Sequence, residues 1–137
     1  MAGARVRLRI DQAKLTATVG PIAREAAERA AVRTRDKARS NVISAGLVNT
    51  GKLAETMTYK MIMPASSLFQ RAAIGSPVPY AKYPEFGTRA HGPVRASRLV
   101  FKPKGSNKLV FAKRVRGVYP RQFMLRALDS LRPKDFE

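Results

Sequence analysis

Residues 21–42, "PIAREAAERAAVRTRDKARSNV", constrain the fold more than any other stretch of the chain. Ala23, Ala27, Ala30, Ala31, Thr34, Ala38 and Val42 recur at helical spacing. Arg24, Glu25, Arg29, Arg33, Asp36 and Lys37 fall largely off that stripe. Glu25 and Arg29 stand at i, i+4 in the favourable order. A stripe made mostly of Ala buries little area per turn, but it lets a partner lie close to the helix backbone. Such a helix depends on tertiary packing or on a neighbouring subunit. Gly20-Pro21 is expected to start it, because Pro is tolerated at the first helical position.

The other elements are short. Val6, Leu8 and Ile10 alternate with Arg7 and Arg9, which predicts a strand at about 5–10. Asp11 offers a cap for a turn around Gln12 to Leu15. Thr50-Gly51 reads as a turn and Lys52 to Glu55 as a short helical turn. Met57 to Met63 alternates as a strand, with Met57, Tyr59, Met61 and Met63 on one side. "FQRAAIGS" (69–76) reads as a second strand. "RLVFKPK" and "KLVFAKR", joined by Gly105-Ser106-Asn107, predict a basic hairpin over 98–114. "PRQFMLRALDSL" from Pro120 predicts a C-terminal helix. Phe123, Leu125 or Met124, Ala127, Leu128 and Leu131 would face inward, and Pro133 would stop it. The expected class is α+β: a long N-terminal and a short C-terminal helix packed on a small, mostly antiparallel β-sheet, in one domain over 1–137. A chain of 137 residues can bury roughly two thirds of its unfolded surface.

Charge narrows the partners. The chain carries 27 Lys+Arg against 9 Asp+Glu, a net +18. Residues 89–137 hold 13 basic and 3 acidic side chains, so this third alone carries +10. Such a pole attracts polyanions or acidic protein surfaces. No Cys is present, which excludes disulfides and thiolate metal sites. No apolar run approaches the ~20 residues of a membrane span, so no membrane role is expected. The N-terminus lacks a signal-peptide apolar core, so synthesis in the cytoplasm is expected.

Little points to catalysis. His91 is the only imidazole, in a Gly-Pro-flanked loop with no second ligand of the usual kind. Glu55 and Glu85 are the only central acids, and nothing in the sequence pairs them. No nucleophile elbow or phosphate-cradling Gly loop occurs. No catalytic residue, metal or cofactor is expected. Nucleic-acid binding is the stronger rival: Phe101, Phe111 and Tyr119 interleave with Lys102, Lys104, Lys108, Lys113, Arg114 and Arg116, as in a basic strand face with stacking rings. Period 2 favours the two Phe as core residues, leaving the cations to face something anionic.

The densest Pro and aromatic cluster, "SPVPYAKYPEFGT" (76–88), reads in two compatible ways. Pro77, Pro79 and Pro84 stiffen an extended segment, either a bent loop or an edge strand. Tyr80, Tyr83 and Phe86 supply rigid contact area of the kind enriched at interfaces. Gly87 lets the chain turn where a side chain would clash. Glu85 is placed to pair with an Arg of its own chain or a neighbour's. Alternatively, Tyr80 and Phe86 cap the core and Gly87-Thr88 is only a turn.

Three motifs in order carry a resemblance. They are Thr50-Gly51 with Leu53, then Pro79-Tyr80-Ala81 leading to Glu85-Phe86-Gly87-Thr88, then Pro120, Phe123, Ala127 and Leu128. Together, over about 20–131, they resemble the neck and tail-completion proteins of long-tailed phages (siphoviruses), also called head–tail joining or minor tail proteins. Pro84, where an aliphatic residue is expected, and the inserted Arg121-Gln122 depart from the pattern. The resemblance implies a structural virion protein at the head–tail junction, made in the host bacterium. It implies a six-fold homo-oligomeric ring between the portal or head-closure connector and the tail terminator or tail tube, with genome DNA passing through. Pro79, Tyr80, Tyr83, Glu85, Phe86, Gly87 and Thr88 would then form a docking loop. The basic hairpin would face DNA, through phosphates only, or an acidic partner. The alternative is a small basic nucleic-acid-binding protein.

Overall fold

One 33-residue helix, α1 (Gln12–Ser44), is the axis against which the other elements pack. In the computed structural model the described residues are 9–47 and 51–137. At 1.5 Å per residue α1 is about 50 Å long. Asp11 caps its start: the carboxylate accepts from the amides of Ala13 and Lys14 at 3.1 and 3.2 Å. At its end the Gly46 amide donates to the Ile43 carbonyl and the Leu47 amide to the Val42 carbonyl, with Leu47 folded back on the core.

The helix does not begin at Pro21. It continues through Gly20-Pro21 because Asp11 has already capped it nine residues earlier and only the Pro21 N–H is missing from the ladder. Gly20 is buried there, and a Cβ on it would lie 3.3 Å from the Ser66 carbonyl oxygen. The loop after the first strand therefore rests directly on helix backbone.

The Ala stripe buries as its spacing predicts: Ala30, Ala31, Thr34, Ala38 and Val42 are all withdrawn from solvent. Against it pack α2 (Lys52–Glu55) and α4 (Phe123–Asp129). Leu53, Ala54, Met57, Phe123 and Ala127 complete the core. Polar bonds from α1 fix these partners. The Arg39 guanidinium donates to the Ala54 and Met57 carbonyls at 2.9 and 3.3 Å, and the Asn41 amide donates to the Phe123 carbonyl at 3.1 Å. A 3-10 turn, Pro133–Phe136, lies along α1, where Arg33 pairs with Asp135 at 2.5 Å.

The α+β class is as expected, but the sheet is divided. β1 (Thr58–Met61) pairs antiparallel with β2 (Ala72–Gly75), Thr58 opposite Gly75. β3 (Leu99–Phe101) pairs antiparallel with β4 (Val110–Ala112), Val100 opposite Phe111. The two hairpins form separate two-stranded sheets. The alternation expected over 57–63 is present: Met57, Tyr59, Met61 and Met63 are more buried than Thr58, Lys60 and Ile62.

Other expectations shift. Of the strand expected at 5–10, residues 1–8 lie outside the described residues, and Arg9 and Ile10 carry no strand. Thr50 also lies outside them. Its turn partners are described: Gly51 precedes α2 at φ 82°, and Leu53 is in the core. Leu125 and Leu128 of α4 do not face the core but are 45% and 53% exposed. A helix of only seven residues turns one narrow face to α1, and Phe123 and Ala127 occupy it.

Candidate docking surfaces

Within the segment 76–88, residues 79–86 are helical, not extended. Pro79–Ala81 forms a 3-10 turn and Lys82–Phe86 a short helix, α3. Pro79 stands at the start of the first. Pro84 falls in the first turn of the second, where a missing N–H leaves no bond unmade. The fixed φ of proline suits these turns as well as it suits a strand, which is why composition alone misread the conformation. Tyr80, Tyr83 and Phe86 all reach solvent, Phe86 at 78% exposure. The Lys82 ammonium lies 5.3 Å from the centre of the Tyr83 ring.

Glu85 is the one acid buried among the described residues, at 8% exposure. It does not pair with an Arg. Its two carboxylate oxygens accept from the Met124 and Leu125 amides at 2.9 and 3.2 Å. It thus caps α4 from 39 residues away, where an N-terminal helix dipole favours negative charge. The backbone bends to allow this: Gln122 before α4 adopts φ 49°. Arg121 N–H donates to the Pro84 carbonyl at 2.7 Å, and Gln122 N–H to the Glu85 carbonyl at 3.3 Å. No sequence signal announces a cap supplied from so far away.

Beyond α3 the chain is clasped to the stretch before α4. Thr88 N–H donates to the Val118 carbonyl and Val118 N–H to Thr88 Oγ1, both at 2.9 Å. His91 and Val115 exchange both backbone bonds at 2.9 and 3.1 Å. Two glycines allow the approach. Gly87 turns at φ 74°, and a Cβ on it would meet the Val118 carbonyl oxygen at 2.7 Å. A Cβ on Gly117 would lie 1.8 Å from the Thr88 carbonyl oxygen. His91 thus serves the clasp through its backbone.

The β3–β4 hairpin projects from this clasp as an arm. Neither strand packs extensively on any other named element. Phe101 and Phe111 are not core residues: they are 40% and 60% exposed. Register puts Val100 and Phe111 on one face and Phe101 and Val110 on the other, so both faces carry uncovered apolar side chains. Lys102, Lys104, Lys108, Lys113, Arg114 and Arg116 are exposed around them. An isolated two-stranded hairpin is marginal in water, so this arm is short of partners within its own chain.

A groove of about 420 Å³ lies on the opposite kind of surface, concave and mostly apolar. Ile74 of β2, Glu85 and Phe86 of α3, and Met124, Leu125 and Leu128 of α4 are among the residues that line it. The sequence held one sign of it: α4 carries more leucine than a seven-residue helix can bury against one partner.

The chain's accessible surface is 10994 Å². A folded monomer of 15.1 kDa is expected to expose about 7,100 Å². These features define a basic α+β protein whose apolar surface its own chain does not cover. Residues 9–87, more than half of the chain, match the family model of the HK97 gp10-like proteins of bacteriophage, described as a tail component. The chain belongs to that family and is a phage structural protein of the virion. Comparison with curated proteins and with solved structures finds no match. Among the described residues no helix is long and apolar enough to cross a membrane.

Proposed function

We propose that this chain is a ring-forming subunit of the phage neck, which joins the DNA-filled head to the tail and lets genome DNA pass. The observation that carries the reading is the excess surface. The chain exposes about 3,900 Å² more than its mass calls for. A ring subunit meets two neighbours, each through roughly 800 Å² of its own surface. The excess supplies both contacts and leaves area for the adjacent layers, the head-closure connector and the tail terminator or tube.

In this reading Tyr80, Tyr83 and Phe86 are contact residues. Pro79, Glu85, Gly87 and Thr88 hold them in place, and no residue acts catalytically. Gly51 sets the start of α2 and Leu53 anchors it to the core. The arm's cations face DNA phosphates in the channel, without base readout, because a channel must let DNA slide. Immunogold electron microscopy of virions tests the assignment. Label at the head–tail junction is expected, and its absence from the particle overturns it.

One observation favours a second reading, a general nucleic-acid-binding protein. Phe101, Phe111 and Tyr119 are all exposed among cations, as base-stacking rings would be. Such a protein would bind nucleic acid as a monomer or dimer, without forming a ring.

A further inference from the structure

We propose that the β3–β4 arm of one copy of this chain seats in the groove between β2, α3 and α4 of the next copy. The inference rests on the ring reading and names the surfaces that would make the ring. Among the described residues the chain carries a convex apolar arm and a concave apolar groove, and neither is filled from within. A contact between two different surfaces of one molecule is heterologous. It repeats from copy to copy and closes when the rotation allows.

The chemistry of the two surfaces matches. The arm's centre is Val100, Phe101, Val110 and Phe111, and its cations stand at the tip and base. That is an apolar centre with a charged rim, as stable interfaces have. Buried aromatic rings remove about 150–250 Å² each, so Phe111 with Phe86 opposite would anchor the contact. Asp129, exposed one helical turn beyond Leu125, offers an acid to the rim. A second copy is favoured over a foreign partner because the surplus area is ample for two contacts of standard size.

The absence of cysteine gives a clean background for disulfide trapping. Full-length Phe111→Cys is mixed with a larger, tagged Leu128→Cys chain, and both are incorporated into assembling particles and oxidised. The expected product is a mixed dimer, sensitive to reductant, with a matched Thr18→Cys control giving none. Phe111→Ser should weaken self-association at least about thirtyfold, as loss of an interface anchor does. Its monomer should melt like the parent. If rings assemble but only Phe111–Phe111 dimers form, or none, the arm-in-groove contact is wrong and the ring reading stands. If no oligomer of the parent chain forms in solution or in particles, both fall.

Discussion

Glu85 carries the most structure per side chain. It holds two amides of α4, and Pro84 and Glu85 carbonyls hold the two residues before it. Replacing it with Ala leaves those amides without their acceptors near the core. Urea unfolding should show Glu85→Ala losing about 1–2 kcal/mol. Glu85→Gln, which keeps one acceptor oxygen, should lose less. A variant as stable as the parent would mean that water replaces the carboxylate at no cost. Gly117 differs in kind, because its neighbour is backbone and cannot yield. Gly117→Ala should therefore open the clasp. Hydrogen exchange should show the amides of Thr88, His91, Val115 and Val118 losing protection while those of α1 around Ala38 keep theirs.

Among the elements, the 3-10 turn at Pro133–Phe136 is tied to α1 by charge. Asp135 accepts from the Arg132 amide at 2.7 Å and from Arg33 at 2.5 Å, and these bonds, in that order, hold its carboxyl below the ordinary value of 3.8. A lowered carboxyl pKa contributes stability above the unfolded value and loses it as pH falls through the folded one. The turn should release from α1 as pH drops below about 4, seen as faster exchange at its amides. Asp135→Asn should flatten that dependence. Much of the element order was legible in the sequence, since it rests on local chemistry. The Ala period, the Asp11 cap, the Lys52–Glu55 turn and the Gly105 hairpin each act within a few residues. Gly20-Pro21 misled because a proline at a helix start and one tolerated inside a capped helix look alike over that range. Phe101, Phe111, Leu125 and Leu128 misled because periodicity marks which residues are apolar, not whether the chain covers them. Glu85 lies in α3 rather than in a loop, and its partners are backbone atoms 39 and 40 residues away, which no side-chain pattern reveals.

The whole molecule sets two forces against each other. Uncovered apolar area draws copies together, and a net +18 on each drives them apart. Salt screens the second and barely touches the first. Self-association measured by sedimentation should strengthen between about 50 and 200 mM salt, while affinity for DNA falls steeply over the same range. A fall in both over that range would mean that charge, not apolar contact, holds the copies together. The clasp adds something of another kind. Apart from Thr88 Oγ1 its bonds join main-chain atoms, so no letter within the arm is needed to hold the arm in place. The family match ends at Gly87, one residue before the first of those bonds. A chimaera carrying a different sequence over 98–114 should melt where the parent melts. The arm is thus a replaceable part in physical terms: its letters can change, or its length grow, without disturbing the scaffold that bears it.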